Sequence, residues 1–161
     1  MNRSWLPLAL EAFAAVSILA TRPLPAAPSA PDLDVKIDVA VPSAPVQPGA
    51  SSEAVVRLTA PQGVHLNRYP GIKLTLDPNP ALVFPDKTVK VGLDAMPDDP
   101  DTNAWQTIDP IHVKFRVGEK TQAGKVPVKG QIRFYYCVAK SGYCAPGKKD
   151  VAFNVPVAGT R

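Results

Sequence analysis

The stretch IHVKFRV, residues 111 to 117, alternates apolar and polar side chains at every position. This period of two is typical of a β-strand that buries one face, because successive side chains of a strand point to opposite sides. The same alternation recurs in DLDVKIDVAV (32–41) and KKDVAFNVPV (148–157), and it marks the second half of KVPVKGQIRFYYC (125–137). The pattern therefore predicts a protein built from half-buried strands.

Clusters of turn-forming residues separate these strands from shorter candidates. PSAPVQPGASS (42–52) and DPNP (77–80) are rich in residues that favour turns. The segment from Asp94 to Trp105 has two prolines and no periodicity, which predicts a loop. No helical period of 3.6 extends over eleven residues after Pro31. We therefore predict an all-β, immunoglobulin-like antiparallel β-sandwich in residues 31–161. Its shorter strand candidates are EAVVRLTA (53–60), VHLNRYPG (64–71), IKLTL (72–76), LVF (82–84) and TVKVGL (88–93).

The first thirty residues have the character of an export signal. Arg3 supplies a positive charge, and the run from Trp5 to Ala20 is mostly apolar but too short for a convincing membrane span. A Pro/Ala-rich stretch, RPLPAAPSAP (22–31), follows as an extended tether. We expect residues 1–30 to be a signal peptide and tether, so that the domain is periplasmic or secreted. Retention by an uncleaved N-terminal anchor is the alternative.

The charged residues predict an ordinary solvated surface. The chain has 18 Lys and Arg against 14 Asp and Glu, and only Arg3, Glu11 and Arg22 precede Pro31. The charges are scattered, without a run of five of one sign, which does not favour nucleic-acid binding. The sequence also lacks a phosphate-binding glycine loop, a nucleophile elbow and an H-E-x-x-H motif. We therefore expect no cofactor and no small-molecule substrate.

The two cysteines, Cys137 and Cys144, are the only ones in the chain. In an oxidising compartment they are expected to form a disulfide. A domain of this size can bury a core without covalent help, and closing so short a ring stabilises by about 2.5 kcal/mol in the chain-entropy model. The C-x6-C spacing differs from the C-x-x-C of thioredoxin-type centres. From the spacing alone, the bond can be either a structural staple or a redox pair.

Two segments resemble the N-terminal periplasmic domain family of the thiol:disulfide interchange protein DsbD. They are APQGVHLNRYPGIKLTL (60–76) and GQIRFYYCVAKSGYCAPGKKDVAFNVPV (130–157). The resemblance extends from about Asp32 to Val157 and is most specific around the cysteines. The positions that carry it are Gly63, His65, Asn67, Tyr135, Cys137, Cys144 and Pro146.

The resemblance implies an immunoglobulin-like sandwich whose cysteine pair cycles between disulfide and dithiol. A thioredoxin-like protein or a membrane electron carrier would donate electrons. Periplasmic disulfide-containing proteins, among them isomerases and cytochrome-maturation proteins, would accept them. Cys144 would form the mixed disulfide with a partner and Cys137 would resolve it. The supporting residues would be His65, Asn67, Tyr135, Tyr143 and Pro146.

Two features depart from the family pattern. The loop between the cysteines is one or two residues longer than expected. The membrane domain and the C-terminal thioredoxin-like domain of the full reductase have no counterpart in this sequence. We therefore expect a delivery module whose reductant comes from another polypeptide. The loop from Asp94 to Trp105 is the candidate for a cap over the disulfide.

Two other interpretations stay open. The chain can be a non-catalytic secreted β-sandwich that serves binding or assembly and carries a structural disulfide. The two cysteines with His65 and His112 provide four metal-binding side chains, but their spacings match no zinc-finger or ribbon pattern, so no metal is predicted. His65 either orients a thiol or is a half-exposed strand histidine, and His112 is expected to be solvated.

Overall fold

The computed structural model describes residues 34–159. The predicted signal peptide and tether lie outside this range. Within it, no helix is long and apolar enough to cross a membrane. Nine strands and one turn of 3₁₀-helix, Pro100–Asn103, follow one another along the chain. The strands are β1 (Lys36–Ala40), β2 (Ser51–Thr59), β3 (Val64–Leu66), β4 (Ile72–Leu76), β5 (Leu82–Val83), β6 (Thr88–Val91), β7 (Ile111–Val117), β8 (Gly124–Val138) and β9 (Tyr143–Val157).

The strands form two sheets that pack face to face. Sheet A has the order β1-β2-β7-β5. In sheet B, β9 pairs with β8 along its whole length, and β3 and β4 pair one after the other along the opposite edge of β8. β6 lies outside β4. All these strand pairs are antiparallel, so the prediction of an all-β, immunoglobulin-like antiparallel β-sandwich is confirmed.

The core lies between the sheets and consists of the side chains that the alternation placed on one face. In β7, buried and exposed residues alternate without exception. In β8, the inward positions include Ile132, Phe134 and Tyr136, each at most 2 % exposed. The intervening side chains of β8 therefore point away from the core, onto the outer face of sheet B.

A long hairpin made by β8 and β9 dominates sheet B. Each strand has 15 residues, and every residue of β8 pairs with one of β9. The four-residue loop 139–142 joins them, with Gly142 at a φ of 66°. Glycine accepts this left-handed conformation without steric cost. The sequence pattern ended the first strand at Cys137 and began the second at Lys148, but the ladder extends to Val138 in β8 and begins at Tyr143 in β9.

The segment from Asp94 to Trp105 is a loop, as predicted, with one turn of 3₁₀-helix inside it. Asp99 caps this turn by accepting a hydrogen bond from the amide of Asp101 at 3.0 Å. After the turn, the chain runs beside β3: the amide of Trp105 donates to the carbonyl of Leu66 at 2.9 Å. The loop thus extends sheet B beyond the edge of β3.

Candidate functional site

The two cysteines form a disulfide, as the sequence predicts, near the loop end of the β8–β9 hairpin. They are directly opposite each other in the strand register, with their Cα atoms 4.1 Å apart. The bond therefore joins two residues that the backbone ladder already holds side by side. The pairing of the two strands therefore depends little on the disulfide.

The disulfide lies on the outer face of sheet B. Tyr136, next to Cys137, points into the core, so Cys137 points outward. Cys144 is exposed and Cys137 is half-buried. A partner can therefore approach Cys144 more easily than Cys137.

A third strand completes the surroundings of Cys137. His65 of β3 pairs with Cys137 in the register, so His65, Cys137 and Cys144 form one row across three neighbouring strands. Two residues after His65, and on the same face, the Asn67 Oδ1 atom lies 3.7 Å from the Cys137 Sγ atom. The half-buried sulfur therefore has a polar neighbour from a strand that is 70 residues away in sequence.

A second row lies beside the first on the same face. Tyr135 pairs with Pro146 in the register, and the amide of Asn67 donates to the carbonyl of Tyr135 at 2.8 Å. The Tyr135 side chain is 42 % exposed. We call the two rows together the cysteine cluster; its members are His65, Asn67, Tyr135, Cys137, Cys144 and Pro146.

Tyr143 is the one predicted site residue that the fold places elsewhere. It precedes Cys144 on β9, so its side chain points to the opposite face, where its ring lies 6.4 Å from that of Tyr136. The hydroxyl of Tyr136 is buried without a hydrogen-bond partner in residues 34–159. Burial, with a smaller contribution from Tyr143, raises the pKa of the Tyr136 phenol. Tyr143 thus packs beneath the disulfide instead of flanking it.

The two histidines of the described residues, His65 and His112, lie far from each other. His112 lies on the exposed side of sheet A, where its Nδ1 atom is 3.4 Å from Glu53. His65 lies on the opposite side of the sandwich, in sheet B. The cysteines and the two histidines therefore cannot bind one ion together. His112 is solvated, as expected.

A buried asparagine that the sequence did not single out fastens the Asp94–Trp105 loop to the site. Asn103 is 7 % exposed. Its side chain accepts from the amide of Tyr69 at 2.7 Å and donates to the Tyr69 carbonyl at 3.1 Å. The indole of Trp105 donates to the carbonyl of Asn67 at 3.2 Å. These contacts hold residues 66–69, and with them the Asn67 side chain beside Cys137. Nothing in a stretch without periodicity signals this pairing.

Replacing Asn103 with alanine is expected to lower the free energy of unfolding by about 1–3 kcal/mol, because the partly buried Tyr69 amide loses its acceptor. The loop should detach locally before the sandwich unfolds. Hydrogen exchange of the Tyr69 amide should accelerate, and denaturant unfolding measures the stability. Thr102→Ala is the matched control, since its exposed side chain bonds only to Asp99 within the loop. Equal exchange in both variants would contradict the role of Asn103.

The resemblance to the DsbD N-terminal domain family stays a prediction from the sequence, but the positions of the residues that carry it can be described. The fold joins three separate segments, around 65–67, 135–137 and 144–146, at one place on one face. Each of these segments was singled out by that resemblance. Neither a comparison with protein-family models nor a search of curated proteins finds a match for this chain.

Proposed function

We propose that this chain is a periplasmic thiol–disulfide exchange module that uses the Cys137–Cys144 pair. One observation carries the proposal. The disulfide is exposed at Cys144 and joins two strands that are already paired residue by residue. A staple contributes most where it closes a long loop of chain, whereas this bond closes a short one inside a continuous ladder. Its accessibility is the property that exchange requires.

In the proposed reaction, a thiolate of a thioredoxin-like donor attacks the Cys144 sulfur. The Cys137–Cys144 bond breaks, a mixed disulfide forms between Cys144 and the donor, and Cys137 leaves as a thiolate that takes up a proton. The second donor thiol then attacks the donor's own sulfur in the mixed disulfide and releases the Cys144 thiolate. Two electrons and two protons pass to the module, and the donor is left with a disulfide.

Delivery to an acceptor reverses these steps. The Cys144 thiolate attacks the acceptor disulfide, and the Cys137 thiolate then attacks Cys144 to release the reduced acceptor. The half-buried position of Cys137 suits the resolving thiol, because it needs to reach only Cys144. In both directions, the Cys144 sulfur forms the mixed disulfide with the partner.

In this proposal, Asn67 and His65 assist Cys137 from the neighbouring segment of the sheet. The Asn67 Oδ1 atom, 3.7 Å from the sulfur, can accept a hydrogen bond from the Cys137 thiol. After a rotation of about 180° of the amide, its Nδ2 group can donate to the thiolate. His65 pairs with Cys137 in the register, so its imidazole lies on the same face of the sheet as the Cys137 sulfur.

The proposal predicts that the disulfide is readily reduced. The oxidised protein is incubated in mixtures of reduced and oxidised glutathione or thioredoxin, and free thiols are counted after alkylation. An exchange-active pair should become half-reduced at a potential more positive than about −300 mV. A bond that persists below about −300 mV would contradict the proposal and favour a non-catalytic binding or assembly domain with a structural disulfide.

A further inference from the structure

Four basic side chains lie next to one another on the outer face of sheet B. The strand register pairs Lys90 with Lys73, Lys73 with Arg133, and Arg133 with Lys148. All four residues are exposed. Since neighbouring strands are about 4.8 Å apart, this basic row is about 14 Å long. The residues come from four different strands, β6, β4, β8 and β9.

The four like charges of this row destabilise sheet B. Like charges directly opposite each other on adjacent strands are destabilising. Within residues 34–159, Lys90 is the one member with an ion-pair partner, Asp94 at 3.0 Å. Lys73, Arg133 and Lys148 have none in that range. Their charges are available to a partner that brings carboxylates.

The basic row adjoins the cysteine cluster. Arg133 and Lys148 are each two residues from the Tyr135–Pro146 pair on the same face. Arg133, Tyr135, Pro146 and Lys148 border a groove of about 360 Å³ on β8 and β9. From Lys148 to Cys144 the distance along the strand is about 13 Å. An interface of the usual size, about 800 Å² on each partner and centred on Cys144, would include this part of the sheet.

We propose that the basic row is the docking surface for an acidic surface on the protein partner whose cysteine reacts with Cys144. This inference rests on the proposed thiol–disulfide exchange. The row would steer the partner, because opposite charges raise association rates by tenfold or more at low salt. A linear row of four cations suits the edge of a helix, where carboxylates three or four residues apart lie about 5–6 Å from each other.

The test uses the reduced protein and two synthetic peptides. Each contains one cysteine, bound as a mixed disulfide to 5-thio-2-nitrobenzoate, and six flanking residues, either all Glu or all Lys. The second-order rate is read from the absorbance of the released thiolate. We expect the Glu peptide to react about tenfold faster at low salt. The preference should vanish in 1 M salt, where the screening length is about 3 Å.

A matched pair of double variants locates the effect. Arg133→Gln with Lys148→Gln should reduce the preference for the Glu peptide at least threefold. Lys125→Gln with Lys129→Gln removes the same charge from the same face, but farther from the disulfide, and should preserve it. Equal losses in both variants would show that net charge alone acts, and no loss in the first would show that the row does not dock partners. Either result overturns the inference.

A binding measurement separates this inference from the proposed function. If the reduced protein reacts with neither peptide, the proposed thiol–disulfide exchange is wrong. The basic row is then tested by itself: binding of a cysteine-free hexaglutamate peptide to the oxidised protein is measured by fluorescence anisotropy. The first double variant should weaken this binding and the second should not. Tighter binding of a 12-nucleotide DNA strand or of phosphatidylglycerol vesicles than of hexaglutamate would overturn the acidic-protein assignment.

Discussion

The Cys137→Ala variant is expected to accumulate a covalent complex with a thioredoxin-like partner, whereas Cys144→Ala is expected to trap almost none. Cys144 is exposed and Cys137 half-buried, so a partner's sulfur can approach Cys144 in line with the bond. Without Cys137, nothing within the module resolves the mixed disulfide. The partner's second cysteine is replaced by alanine, because its thiol would otherwise resolve the mixed disulfide, and its remaining cysteine is oxidised as a mixed disulfide with 5-thio-2-nitrobenzoate. Non-reducing electrophoresis after incubation measures the complex.

Ser141→Ala is a suitable control, because it alters the loop between the cysteines without removing a thiol. It should neither trap the partner nor prevent exchange. Trapping by Cys144→Ala instead of Cys137→Ala would reverse the assigned roles. If neither cysteine variant traps the partner, the disulfide is a structural one.

Phe115→Ala is expected to lower the free energy of unfolding by about 3–5 kcal/mol. Phe115 lies on β7, a central strand of sheet A, and is 1 % exposed. Truncation leaves a cavity between the sheets that the surrounding strands can fill only in part. Denaturant unfolding monitored by circular dichroism measures the loss.

Val83→Ala is the control for this prediction, because Val83 lies on the neighbouring strand β5 and is 61 % exposed. Its effect should stay within about 0.5 kcal/mol. Where Phe115→Ala remains folded, its rate of disulfide exchange should be unchanged, since the cysteine cluster is on the other sheet. A loss below about 1 kcal/mol would mean that Phe115 is not part of the packed core.

The strands were accessible to sequence analysis because their pattern is local. IHVKFRV alternates over seven residues, and burial of its apolar face follows directly from the geometry of a strand. All nine strands fall within or next to stretches identified from such patterns or from turn residues. The extent of β9 was underestimated, because YCAPG (143–147) has no alternation of apolar and polar residues and enters the sheet through its pairing with β8.

The cysteine cluster was predicted in part. Resemblance to a family singled out His65, Asn67, Tyr135 and Pro146, and the fold brings all of them to the disulfide. Tyr143, which precedes Cys144 in sequence, was also expected to support the pair. In a strand, however, adjacent side chains point to opposite faces. Tyr143 therefore cannot lie on the face that carries Cys144.

Sequence alone determined the fold class and the disulfide, since the first follows from local periodicity and the second from the only two cysteines in a chain that is predicted to be exported. Tertiary structure decided which distant residues meet. The register between strands brings Lys90, Lys73, Arg133 and Lys148 into one row, although the sequence shows only scattered charges. It also places Asn103 against Tyr69. Register depends on how whole strands pair and pack, and a local pattern of side chains carries no information about which residue of a distant strand will lie opposite.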